Sequence, residues 1–200
     1  MAAQLDCPIF SAQFQGTIMA RRYQQLSEKH SDFVLQQKLF FVGTAANDGS
    51  INVSPKGFDS LRIMSPNRIV WLNITGSGNE TAAHLAQNTR MTIMFCAFEG
   101  NPKILRLYGN ATAIHPRDDA WLELEKLFEP HPSARQYVDF EFDLVQTSCG
   151  FGVPFFDYKK ERDNFPKWLS TKDEGAIKEY WALKNQISID GLPTYILDEE

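Results

Sequence analysis

Gly49-Ser50-Ile51-Asn52-Val53-Ser54-Pro55-Lys56-Gly57 and, further along, Thr75-Gly76-Ser77-Gly78-Asn79-Glu80-Thr81 decide how this chain is read. The first segment puts amide, hydroxyl and ammonium groups on alternate positions of one strand. The second is a polar, glycine-rich turn interrupting a series of strands between Phe40 and Ala113. The pattern predicts strands over Leu39 to Ala45, Ile51 to Phe58 and Ile69 to Ile74. Asn47-Asp48-Gly49 makes the first hairpin turn, and Asn67-Arg68 leads into the third strand. A short helix, about Glu80 to Gln87, follows the polar turn. Strands Met91 to Cys96 and Ile104 to Gly109 come next, separated by Asn101-Pro102. This order of elements predicts a mainly β protein with flanking helices: a small barrel with a phosphate-bearing ligand on its wall.

The rest of the chain is read outward from that core. Residues 1–14 form a loose arm. Ile18, Met19, Tyr23 and Leu26 fall at helical spacing over 17–29, and Ser31 to Gln36 reads as a second, capped helix. Asp118 to Phe128 is an amphipathic helix stopped by Pro130-His131-Pro132. Val138 to Thr147 alternates as a last strand, and Gly175 to Lys184 is a helix. The whole of 1–200 is expected to be one domain, with a barrel core over about 33–147 and an extension over 148–200.

Composition narrows the function. Two hundred residues at 43% hydrophobic suffice for one packed core. The net charge of -5 and the lack of any Lys/Arg block argue against a nucleic-acid or anionic-membrane partner. No apolar run approaches the roughly 20 residues that a membrane span needs. Cys7, Cys96 and Cys149 show no metal spacing and no disulfide framework. Together with the absence of a signal-peptide pattern, they point to a reducing cytoplasm. His84, His115 and His131 also lack metal spacing, so no metal is expected.

Two groups of residues could carry chemistry. Asn52, Ser54 and Lys56 share one face of their strand. A lysine there is either simply solvated or part of a wall of donors for a ligand. Pro55 fits an edge or a break in the ladder, which frees backbone groups nearby. In the turn, Gly76 and Gly78 allow a close backbone approach, and the N–H groups of the helix that follows suit a phosphate. Ser77, Asn79 and Thr81 add side-chain hydrogen bonds; an ordinary N-cap with a loop is the plainer reading. The spacing is neither a P-loop nor a dinucleotide-binding fingerprint. Arg106, between Leu105 and Leu107, needs an anionic partner if it faces inward and is an ordinary surface residue if it faces outward.

These strands, the Ser54-Pro55-Lys56-Gly57 element and the Gly78-Asn79 turn resemble the pyridoxamine 5'-phosphate oxidase-like, FMN-binding split-barrel family, over about residues 33 to 115. The tail, from Thr147-Ser148-Cys149-Gly150 to Asp190-Gly191-Leu192-Pro193, is similar to that of a flavin-nucleotide-binding branch of it. The resemblance implies FMN as cofactor. It assigns FMN contacts to Asn52, Val53, Ser54, Pro55, Lys56 and Gly57, to Gly78, Asn79 and Thr81, and to Arg106, and the hydrogen-bonding side chain of the turn adds Ser77. It implies an oxidoreductase with a small-molecule substrate or electron donor, and a homodimer whose partner lends tail residues such as Phe151, Phe155 or Trp181. The other readings are a non-catalytic flavin or haem storage protein on the same barrel and a barrel without a ligand.

The chain departs from the true pyridoxamine phosphate oxidases in lacking their C-terminal Arg/His pair and the second basic residue of the phosphate turn. In their place the tail carries Ser188-Ile189-Asp190-Gly191-Leu192-Pro193, whose only charge is negative. With FMN supplied, the protein is expected not to oxidise pyridoxamine 5'-phosphate. Formation of pyridoxal 5'-phosphate at about 1 per second or faster would overturn this and point to Lys159, Arg162 or Lys184 as substitutes.

Overall fold

The computed structural model describes residues 20–198. The expected N-terminal arm, Cys7, Ile18 and Met19 lie outside the described residues. The elements are β1 (Ala20–Tyr23), α1 (Glu28–Gln36), β2 (Phe40–Ala45), β3 (Ile51–Lys56), β4 (Leu61–Ser65), β5 (Arg68–Ile74), α2 (Glu80–Leu85), β6 (Arg90–Cys96), β7 (Ile104–Ile114), α3 (Trp121–Glu125), β8 (Ala134–Ser148), α4 (Asn164–Leu169) and α5 (Glu174–Lys184).

The strands form one antiparallel sheet in the order β3-β2-β6-β7-β8-β5-β4, with β1 added on β8. It is a split β-barrel. The split lies between the two ends of this path, since no ladder joins β3 to β4 among the described residues. Alternation of side chains explains the packing. Phe40 and Val42 of β2, Ile93 and Phe95 of β6, Leu105 and Leu107 of β7 and Phe140 and Val145 of β8 all turn into one core with Trp71. The α3 helix covers a second cluster with Trp121, Phe128 and Tyr137.

Several boundaries differ from the sequence pattern. Residues 20–23 are a strand on the edge of β8, paired from Ala20↔Ser148 to Tyr23↔Val145. Pairing with a neighbouring strand overrides the helical spacing of Tyr23 and Leu26. One helix, α1, replaces the two expected, and it starts earlier because Ser27 caps it. The Ser27 hydroxyl accepts from the His30 amide at 3.4 Å, and His30 Nδ1 accepts from the Ser27 amide at 3.3 Å. The β4 strand, unread in the sequence, pairs with β5 across the tight turn at Pro66-Asn67. The α4 helix was also unread. Pro55 does not break the ladder: β2 and β3 pair in register from Phe40↔Lys56 to Ala45↔Ile51. A proline is tolerated because β3 is an edge strand.

The long pair of β7 and β8 holds the barrel closed and shifts register between Tyr108 and Gly109. At that bulge the backbones approach so closely that a Cβ on Gly109 would collide with the Glu141 carbonyl oxygen. Gly109→Ala is therefore expected to destabilise the fold by about 3 kcal/mol, as overpacking does. Urea unfolding measures this, with Gly152→Ala as a control because nothing lies within 4 Å of its added Cβ. Equal midpoints for the two variants would show that the bulge is not constrained.

Candidate functional site

The split in the barrel opens into a cavity of about 670 Å³ between β3, the end of β5 and the 75–81 turn. Ten of the eleven residues picked from the sequence line it: Asn52, Val53, Ser54, Pro55, Lys56, Gly57, Ser77, Gly78, Asn79 and Thr81. Along β3, Asn52, Ser54 and Lys56 are half-buried and face the cavity, while Ile51, Val53 and Pro55 are exposed on the other side. Val53 and Pro55 therefore meet the cavity through their backbone.

Arg106 does not reach it. Leu105 and Leu107 are fully buried, so the residue between them must face outward. Its row across the sheet runs Pro55, Phe41, Met94, Arg106, Gln146. Arg106 Nη1 donates to the Ser148 hydroxyl at 3.3 Å.

The turn works differently from a plain N-cap. Neither Gly76 nor Gly78 has a positive φ. Their carbonyls serve as acceptors instead, Gly78 O for Arg135 Nη1 at 2.8 Å and Gly76 O for Asn185 Nδ2 at 3.0 Å. The Asn79 side chain makes no cap bond to α2. It is buried, and its Oδ1 accepts from Asn73 Nδ2 at 3.2 Å. Since α2 has only six residues, its dipole is a minor source of positive charge. The charge comes from side chains.

Lys56 and Arg135 supply it. Lys56 Nζ lies 4.8 Å from the centre of the Trp71 ring, a cation–π contact. Burial, helped by the nearby Arg135 charge, pushes the Lys56 ammonium down to about 8. Arg135 is 2% exposed, and burial lowers it to about 10. Among the described residues neither cation has a salt-bridge partner. The one carboxylate on the cavity wall, Glu80, accepts instead from the Ile189 amide at 3.1 Å. A buried and a half-buried cation without an acid are costly unless an anion joins them.

Beside them lies a polar cluster. Asn52 Nδ2 donates to Thr44 Oγ1 at 3.4 Å and to Thr81 Oγ1 at 3.3 Å, and Thr44 Oγ1 meets His84 Nδ1 at 3.1 Å. His84 is 1% exposed and is part of the cavity wall. Among the described residues, seven buried side-chain polar atoms have no partner. Five belong to residues on this wall: Ser54 Oγ, Ser60 Oγ, Asn79 Nδ2, His84 Nε2 and Arg135 Nε. Folded proteins leave few such groups unsatisfied, and here they are concentrated on one wall.

Sequence reasoning missed Arg135, Trp71, Asn73 and His84. The available signal for Arg135 was an arginine followed by Gln136 just before the stretch, Val138 to Thr147, that alternates apolar and polar residues. The tail also takes part. Trp181 Nε1 donates to Thr75 Oγ1 at 2.8 Å, so Trp181 is buried in its own chain and not offered to a partner. Asp190 accepts from the amide and hydroxyl of Ser50 at 2.7 and 3.0 Å, closing the tail onto the β2–β3 hairpin. It is thus hydrogen-bonded, and not an unpaired carboxylate.

Comparison with known proteins agrees with this architecture. Residues 26–149 match the family model described as pyridoxamine 5'-phosphate oxidase. The pyridoxamine 5'-phosphate oxidase family protein ustO of Aspergillus flavus is 36% identical over 189 residues, covering 86% of this chain and 76% of that one. A crystal structure titled a putative pyridoxamine 5'-phosphate oxidase, from Lactobacillus delbrueckii, superposes with a TM-score of 0.50 at 19% identity. It covers 62% of this chain and 94% of its own.

The Lys56 environment has a consequence for stability. Its folded pKa of about 8 lies below the ordinary lysine value of 10.5, so the charged form is penalised in the folded state. The penalty is complete below pH 8 and disappears as pH rises towards 10.5. Without ligand, Lys56→Met is expected to stabilise the protein at pH 7 by up to about 3 kcal/mol, with the gain shrinking by pH 10. Urea unfolding at the two pH values checks this; a variant less stable at pH 7 would contradict it.

Proposed function

Because the chain belongs to the pyridoxamine 5'-phosphate oxidase family, we propose that it is an FMN-binding flavoprotein that carries out an oxidoreduction on a small molecule. The observation that carries this reading is the cavity wall itself: one buried and one half-buried cation without acidic partners, among unsatisfied polar atoms. An FMN phosphate, an anion rich in acceptors, suits Arg135, Ser77, Asn79 and Thr81. The ribityl chain and the polar edge of the ring suit the row of Asn52, Ser54 and Lys56, with the backbone of Val53, Pro55 and Gly57 beside it. The chemistry supplied by bound FMN is hydride acceptance and the passage of electrons to oxygen or another acceptor. The protein's part is to orient and to exclude water. Lys56, held over Trp71, keeps a cation where negative charge is to be stabilised.

The same reading makes the protein a homodimer. The outer face of β3, β2, β6 and β7 carries Ile51 and Val53, 76% and 65% exposed, in register with Ala45 and Gly43. Burying this face against a second copy covers an edge strand and its apolar side chains. It also brings Arg106, on the same face, into the interface, which is the route by which it would reach a flavin.

The absorption spectrum of the purified protein tests the cofactor. Flavin bands are expected; a Soret band or a colourless protein that takes up no FMN would overturn the reading. Lys56→Ala is expected to weaken FMN binding by roughly 1.5–3 kcal/mol, about ten- to a hundredfold. An anion favours protonated Lys56, so wild-type affinity should hold below pH 8, fall above it as the ammonium loses its proton, and lose this dependence in Lys56→Ala. Fluorescence titration of FMN at pH 7 and pH 9.5 measures both effects.

A further inference from the structure

Arg135 is surrounded by oxygen atoms, and every one of them is neutral. Its Nη1 donates to Gly78 O at 2.8 Å and to Asn185 Oδ1 at 2.9 Å, and its Nη2 donates to Asn73 Oδ1 at 3.2 Å. Both asparagines are themselves buried, Asn73 at 2% and Asn185 at 0% exposure. Each amide is oriented by its other end. Asn185 Nδ2 donates to Gly76 O at 3.0 Å, and Asn73 Nδ2 donates to Gln136 Oε1 at 2.9 Å and to Asn79 Oδ1 at 3.2 Å. The oxygens therefore turn to the guanidinium. A buried arginine ordinarily takes a carboxylate, which meets its geometry and cancels its charge together. Here the geometry is met and the charge is left.

We infer that Asn73 and Asn185 are positioning residues that hold the Arg135 guanidinium with neutral oxygens, so that its positive charge remains available to a phosphate-bearing ligand. The proposal rests on the FMN reading for the identity of that ligand. It makes the C-terminal segment part of the site, since Asn185 comes from the end of α5 and is itself held by Thr194, whose hydroxyl donates to the Asn185 carbonyl at 2.6 Å. The positive charge that meets the phosphate then comes from Arg135 on β8, held in place by the tail, instead of from a basic residue in the 76–81 turn. The Arg135 Nε–H, buried and without a partner among the described residues, and the second N–H of Nη2 are the donors left over.

Asn185→Asp tests this, because it keeps the acceptor for Arg135 while pairing its charge. FMN affinity is expected to fall at least tenfold. Affinity for riboflavin, which lacks the phosphate, should stay within twofold, and the ion pair formed with Arg135 should at least offset the lost Nδ2 bond to Gly76 O, so that the melting temperature of the ligand-free protein stays equal or rises. A merely structural asparagine predicts the opposite pattern: FMN and riboflavin binding lost together, with a lower melting temperature. That result would overturn the inference. If wild-type protein takes up neither flavin, the cofactor reading fails by itself. Inorganic pyrophosphate, titrated by calorimetry, then decides the present point. Binding that Asn185→Asp weakens tenfold upholds it, and no binding by wild type sinks it. Asn73→Asp serves if Asn185→Asp does not fold. Failure of both variants to fold also counts against the inference, since a charge that can be paired without losing the fold is what is claimed.

Discussion

A buried guanidinium with no carboxylate organises this molecule. Arg135 reaches from the start of β8 to the carbonyl of Gly78, the amide of Asn73 on β5 and the amide of Asn185 after α5. Three parts of the chain that are far apart in sequence are thus tied to one side chain. Burial makes the arrangement expensive, which is visible in the lowered proton affinity of both Arg135 and Lys56. The fold bears that cost through the apolar core around Trp71, Phe95 and Phe140. A site that must attract an anion cannot also neutralise its own charge.

The split barrel creates the place where this is possible. A fully closed barrel would pair β3 with β4 and bury both edges. Here the sheet path ends at each of them, and the gap between their walls is the cavity. The alternation of β3 then does two things at once. One face gives Asn52, Ser54 and Lys56 to the cavity, and the other gives Ile51 and Val53 to the outside. The tail closes the arrangement from a third side, through Trp181 on Thr75, Asn185 on Gly76 and Asp190 on Ser50.

Much of this was legible in advance, for identifiable reasons. The Asn47-Asp48-Gly49 turn and the alternation after it mark the β2–β3 hairpin, because turn chemistry and period two are local properties. The polar face of β3 and the 76–81 turn were readable for the same reason. What failed was where local and non-local forces compete. Residues 20–23 were read as helix from their spacing, yet the free edge of β8 makes them a strand. The β4 strand is five residues long, and its pairing with β5 is not written in its composition. Arg106 could be left only as inward or outward until the burial of Leu105 and Leu107 fixed the phase of β7.

By itself the sequence determined the antiparallel strands, the polar wall of β3 and the turn that faces it, because each follows from the order of side chains along a few neighbouring residues. Only the tertiary structure decided that Arg135, His84 and Asn73 join that wall and that Asn185 stands behind it. Their roles come from distance in space: Arg135 meets Gly78 across 57 intervening steps of chain and Asn185 across 50. A side chain's partners, burial and effective charge are set by what the fold brings beside it, and no local pattern of residues contains that information.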